Sequence, residues 1–362
     1  MTTAAPAVRR LTPSGGGPLR RRLRRWTAAW AFTLLGLVAV SGFLMPLGYM
    51  VATSMKDAGQ ASDPTAPIYP AKPATFSYQG KDYPIYSVPT PDGVVHQWAL
   101  FEPHRESSLF IDPSHPEAGT IQWQGRYRTL TQAWQLSLKL DNFSDAWGII
   151  NFGRLLFNTF GIAILGTIGT LLSSICVAYG FSRFKFPGKN GLFLLLLSTI
   201  ILPFQVTLIP SFAVYSKLGW VGTWLPLIVP HFFANAYNVF LLRQFFTTIP
   251  REMDEAAMMD GASPFRVLTS IIIPQSLPAI VAVGLFHFFF AWNDFFLPLI
   301  YLQGHPESQP LSVGIANFNS LYSQQPTLIQ ASALMALIVP VVIFFLAQKA
   351  FMRGVVITGV DK

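Results

Sequence analysis

The sequence predicts an all-α polytopic membrane protein of six transmembrane helices, with a small β-rich insertion on the outer side. Three observations predict it. Of 362 residues, 51% are hydrophobic and only 12% are charged, roughly half the charged share of ordinary soluble domains. Apolar runs recur at 26–55, 152–182, 190–211, 223–244, 275–300 and 327–348, each covering the roughly 20 residues that a hydrocarbon crossing needs. Basic residues outnumber acidic ones, 25 to 17, and they gather at the ends of these runs. That placement suits membrane lipid and membrane insertion, whereas a nucleic-acid partner would need the charge on one soluble face.

Taken in order, residues 1–25 hold Arg9, Arg10, Arg20, Arg21, Arg22, Arg24 and Arg25 around a Ser14–Pro18 break, and read as a disordered basic tail. The run at 26–55 is too long for a signal peptide, and no clear small-x-small cleavage site follows, so it is expected to be an uncleaved anchor. Residues 56–147 are the one sizeable soluble segment. Alternating β-prone runs at Tyr83–Val88, Val94–Phe101 and Thr120–Thr129 are separated there by proline- and glycine-containing turns, predicting a small antiparallel sheet. His96, His104 and His115 lack the regular spacing of metal ligands and read as surface or turn residues. A five-helix core follows at 148–348, with a polar loop at 246–274, and then a tail at 349–362. Several spans contain proline (Pro203, Pro210, Pro226, Pro230, Pro298 and Pro340), which membranes tolerate where neighbours re-satisfy the freed carbonyls. The lone cysteine, Cys176, lies in an apolar run and reads as a packing residue.

Charge orients the bundle. One side collects the tail arginines, then Arg183, Lys185 and Lys189, then Arg243, Arg251 and Arg266, then Lys349, Arg353 and Lys362. The loops at 212–222 and 302–326, on the other side, hold only Lys217. The positive-inside rule thus places both termini and the stretch Pro250–Pro278 in the cytoplasm, and 56–147 outside.

Pro250–Pro278 is the best-punctuated stretch between long apolar runs. Pro250 suits a first helical turn, and Glu252, Asp254 and Glu255 complement the positive end of the helix dipole. Gly261 reads as a left-handed stop, and Ser263-Pro264 as N-cap and N1 of a second helix running to Pro274. Ala256 and Ala257 leave one side bare, while Met258, Met259, Phe265 and Leu268 form a large apolar knob. Two readings fit: an amphipathic loop lying on the bilayer, or a knob for the groove of another protein.

Polar residues inside spans carry a functional hypothesis by default, because burying them is costly. His231, Asn235 and Asn238 are spaced by four and three, which places all three on one helical face; His287, Asn293 and Asp294 lie in the next span. They line a pathway for a hydroxyl-rich solute, or they hydrogen-bond helices together. No Gly-rich phosphate loop or HExxH helix is present, so no catalytic or metal site is predicted, and any ATP site is expected on another chain. The lack of mid-membrane acidic residues disfavours an ion-coupled secondary transporter. A membrane-anchored sensor using 56–147 is a third reading.

Glu255-Ala256-Ala257, Asp260-Gly261, Ile271 and Pro274 have the spacing of the EAA loop, and the sequence resembles the membrane subunits of binding-protein-dependent ABC importers. Ile273 replaces that loop's leucine. Tyr179–Gly188 resembles the end of that family's second span; Asn293–Leu299, Pro310–Gly314 and Gln348–Gly354 are similar to its carbohydrate subgroup, the maltose-type permeases, and the long insertion at 60–135 resembles α-glucoside permeases. The resemblance implies a type I importer permease fold in a bacterial cytoplasmic membrane, with alternating access coupled to ATP hydrolysis. It implies docking of Glu255, Ala256, Ala257, Asp260, Gly261, Pro264 and Phe265 against an ATPase subunit dimer, with ATP and Mg held by that partner and no cofactor by this chain. It further implies a second permease subunit and an extracytoplasmic solute-binding protein. The cargo it implies is a sugar such as an α-glucoside, with glycerol phosphate as the alternative.

Overall fold

The computed structural model describes residues 18–90, 92–320 and 323–356. The tail before residue 18 and the last six residues of the 349–362 tail, Lys362 among them, lie outside the described residues. By compactness the chain divides after Val51.

The described residues of the first unit are one helix, which begins at Pro18 and runs on past Val51 to Ser54. Helix therefore replaces the expected disorder over 18–25. Pro18 is pre-set for a first turn, and the Leu-Arg run after it is a good helix former. At the other end of the chain, helix Pro326–Val356 likewise runs past the expected boundary at 348.

In the second unit, Phe152–Arg183 is the long helix against which Leu277–Asn293, Ala236–Thr248 and the turn Val229–Phe232 pack. Four helices among the described residues are long and apolar enough to cross a membrane, or up to six if each bent pair is one span. The bends are large: 95° between Lys189–Ile201 and Phe204–Lys217, and 80° between Pro264–Gln275 and Leu277–Asn293. Pro203 causes the first, as an extended residue before the second helix. The second follows a π-helical turn, Leu268–Ile272, and a break at Ser276. The expected single helices at 190–211 and 275–300 are thus corrected to broken ones, the latter ending at Asn293 before a separate Phe296–Tyr301 turn.

Residues 71–136 form antiparallel sheets. Thr75–Tyr78, Lys81–Pro89, Val95–Glu102, Ser107–Ile111 and Thr120–Gln124 pair in that order, and Thr131–Gln132 adds to Lys81–Pro89. Gln79 and Gly80 both take positive φ, which matches the strand twist at a two-residue hairpin. Val88, Trp98, Leu100 and Phe110 form the buried face. Thr120–Thr129 is strand only to Gln124. Asn142 closes the neck, its amide donating to the carbonyls of Ser54 and Lys56 at 2.8 Å each.

Candidate functional site

The loop after Thr248 is built by local chemistry. Helix Arg251–Met259 ends at Gly261, whose φ of +79° is left-handed. Gly261 N–H donates to the Met258 carbonyl and Ala262 N–H to the Ala257 carbonyl, at 3.0 and 2.9 Å. These are the two bonds of a Schellman stop. Nothing lies near a Cβ added at Gly261, so backbone conformation alone selects glycine there. Ser263 then caps Pro264–Val267, its Oγ accepting from Arg266 N–H at 3.3 Å. Beneath the loop, Val239, Leu242, Phe246, Ile249, Val267 and Ile272 make a buried apolar core.

What this frame presents outward is Met259, 89% exposed, and Phe265, 74% exposed, with Glu255, Ala256, Asp260, Gly261 and Pro264 exposed around them. Ala257 is half-buried against the core. Leu268 is a correction: it is buried at 6% and belongs to the core, because the π turn carries it inward.

On the inward side Asp254 sits 2.8 Å from Nε of Arg183, with both side chains 7% exposed. Burial pushes the Asp254 carboxyl up, while Arg183 and Arg251 hold it down and Glu255 raises it. Around the pair, Arg183 also donates to the Ile249 carbonyl. Arg243 and Arg251 donate to the carbonyls of Phe181 and Ser182, where the negative end of the helix dipole favours cations. Tyr179 Oη donates to the Pro264 carbonyl at 3.0 Å.

The intramembrane residues divide differently from expectation. His231, Asn235 and Asn238 do not share a helical face. Pro230 sits in a 3₁₀ turn, Val229–Phe232, and the next helix starts only at Ala236. Asn235 is its N-cap, accepting from the N–H groups of Tyr237 and Asn238, while the Asn238 side chain is buried beyond it. Asn293 is exposed, and its amide donates to the Phe289 carbonyl at 2.8 Å.

His231 and His287 do meet, ring to ring at 4.4 Å and 71°. Gly166 makes room for them: a Cβ there would lie 3.2 Å from His287 Nε2 and 3.3 Å from His231 Cδ2. His287 Nε2 is buried with no hydrogen-bond partner. His231 and Asp294 line one cavity of about 170 Å³, together with Thr159, Thr207, Ser211, Tyr215 and Tyr301. No lysine or arginine is among its lining residues. Thr207, Ser211 and Tyr215 were missed by the sequence reading, although their spacing of four on Phe204–Lys217 already puts hydroxyls on one helical face.

Residues 169–356 match the family described as "Binding-protein-dependent transport system inner membrane component". The chain is 34% identical over 220 residues to an osmoprotective compounds uptake permease of Synechocystis sp., spanning 60% of this chain and 73% of that protein. It is 32% identical over 211 residues to an sn-glycerol-3-phosphate transport system permease of Agrobacterium fabrum, spanning 58% of this chain and 74% of the relative. An alpha-glucoside transport system permease of Rhizobium meliloti is 28% identical over 224 residues, 59% and 58% of the two chains. In fold, the chain resembles the crystal structure of a bacterial ABC transporter involved in import of the acidic polysaccharide alginate. The TM-score is 0.63 at 19% identity, covering 94% of this chain and 100% of that one.

Proposed function

Because this chain belongs to the binding-protein-dependent transport system inner membrane components, and so is a permease subunit of an ABC importer, we propose how it works and what it carries. The bent pair Lys189–Ile201 and Phe204–Lys217 acts as one span and Leu277–Asn293 as another, giving six, with both termini and the loop ahead of Leu277 in the cytoplasm and the β-rich insertion outside. An ATPase subunit dimer holds ATP and Mg, and its cleft receives the two short helices of the loop. A second permease subunit completes the pathway, and a solute-binding protein delivers the cargo from outside. Closure of the ATPase dimer then rocks the bundle between inward- and outward-open states.

The observation that carries this reading is the loop itself, a locally capped pair of helices presenting Met259 and Phe265 to solvent over a packed base. Large exposed apolar groups on a fixed frame are costly unless a partner covers them. Glu255→Lys reverses a charge on the exposed face without touching the core. It is expected to leave the protein in the membrane and abolish both uptake and ATPase association, measured by transport into cells and by co-purification. Full activity of this variant would contradict the docking role.

The cargo we infer is a neutral, hydroxyl-rich solute, a di- or oligosaccharide such as an α-glucoside. Hydroxyls, His231 and the Asp294 carboxylate surround the cavity, and the absence of a cation among its lining residues disfavours a phosphate ester. At about 170 Å³ the cavity is smaller than the roughly 300 Å³ at which small-molecule pockets begin, which supports a second subunit sharing the cargo. Competition of labelled uptake by neutral disaccharides and by sn-glycerol 3-phosphate tests this. Inhibition by the disaccharides alone is expected, and inhibition by glycerol phosphate alone would overturn the assignment.

A further inference from the structure

The ends of the long helix Phe152–Arg183 grip opposite parts of the molecule. At its start, Asn158 donates to the carbonyls of Glu307 and Gln309 at 2.9 and 2.8 Å, and Thr159 Oγ accepts from Leu311 N–H at 2.8 Å. Thr159 also lines the cavity. At its end, Arg183 meets Asp254, the one buried charge of helix Arg251–Met259. Arg183 reaches Ile249, Arg251 reaches back to Ser182, and Tyr179 reaches Pro264. Both short helices of the loop are therefore fastened to one rigid rod that borders the cavity.

Resting on the docking role proposed above, we infer that Arg183–Asp254 is the joint through which movement of the loop reaches the cavity. Asp254 is a positioning residue. It points away from the exposed docking face, so its contribution runs through Arg183 and the long helix. A buried ion pair is a poor source of stability, since the desolvation of two charges offsets their attraction. What it does supply, beside the neutral-acceptor hydrogen bonds of Arg183, Arg251 and Tyr179, is the one charge-to-charge contact that fixes direction and separation between the two elements, where apolar packing alone tolerates sliding. The surrounding arginines are not equivalent links. Arg243 donates to the long helix and stacks 4.1 Å over Phe193, so it holds the rod to the neighbouring helices, whereas Asp254 belongs to the moving loop.

The test uses the assembled importer in lipid nanodiscs and needs no knowledge of the cargo. In a Cys176→Ala background, Ser211→Cys reports cavity accessibility to biotin-maleimide, with and without trapping by Mg-ATP and vanadate. Trapping is expected to change labelling several-fold in the otherwise native complex. Asp254→Asn is expected to trap as much nucleotide yet lose most of that change, and Asp254→Glu to regain it. Should Asp254→Asn fail to assemble, Arg183→Lys decides, since it keeps the charge and shortens the reach; a reduced labelling change is the expected result. Native-sized changes in Asp254→Asn or Arg183→Lys would overturn the inference. A native complex that never captures the ATPase would overturn the docking role and this inference with it.

Discussion

Two polar clusters border the same long helix, and they are built on opposite terms. At its C-terminal end the groups are ionic and paired: Arg183 with Asp254 at 2.8 Å, and Arg243 and Arg251 on the last carbonyls. Beside its middle two histidine rings meet at 4.4 Å, one ring nitrogen has no hydrogen-bond partner, and the adjoining cavity is lined with hydroxyls. The ionic end is fixed by its charge pair and by arginine bonds to carbonyls, although Asp254 Oδ1 and Arg183 Nε form no well-aligned hydrogen bond. The histidine end has no charge pair to fix it and is free to take a visiting hydrogen-bonding group. One helix thus serves as a fastening at one end and as the wall of a changeable space further along.

The largest expected effect removes the fastening's frame. Gly261→Pro demands a φ near −65° where the chain needs +79°, so the Schellman stop is lost. Uptake and ATPase association should disappear while the protein remains in the membrane fraction. Next, Phe246→Ala empties a fully buried position beneath the loop and should cost about 3–5 kcal/mol in denaturant unfolding. A much smaller cost would mean that the paired end is not tightly packed.

On the other side of the comparison, His287→Phe removes a buried nitrogen that already lacks a partner. Replacing such a group by an apolar one of similar shape can be nearly neutral, so stability should change by no more than about 1 kcal/mol while uptake falls. A loss as large as that of Phe246→Ala would show that the histidine pair is a structural fastening too.

The smallest effect lies outside both clusters, in the neck of the insertion. The Gly59 amide, and then Lys139, hold the Asp57 carboxyl below its ordinary value of 3.8. A depressed carboxyl stabilises the folded neck above that value, and the stabilisation is lost as pH falls through the lowered one. Hydrogen-exchange protection over Ala58–Ser62, taken relative to the intrinsic amide rate, should therefore fall below about pH 3.8, and Asp57→Asn should remove that pH dependence.

The loop was legible in the sequence because its determinants are local. Gly261, Ser263 and Pro264 act on residues within one helical turn, so reading them in order places both helices. The fastening beneath was not legible, since Arg183 and Asp254 are far apart in the chain and only folding brings them together. The spans were legible as apolar lengths but not as shapes: Pro203, Pro230 and Ser276 break helices that hydropathy alone draws straight. That is why His231, Asn235 and Asn238 were expected on one face. Asn235 was spaced like a lining residue, but it satisfies the amides of a new helix. The cavity hydroxyls carried a regular spacing that could be read; their facing His231 and Asp294 could not.

In the proposed mechanism the exposed knob binds an ATPase and moves with it. Met259→Glu tests it most directly, because the side chain is 89% exposed and contributes nothing to the core. The variant and the native chain are each co-expressed with the ATPase and second permease subunits, and the ATPase retained on the purified membrane subunits is quantified. Stoichiometric retention by the native chain and near-complete loss in Met259→Glu, at equal membrane abundance, are the expected results. Equal retention by both would contradict the mechanism.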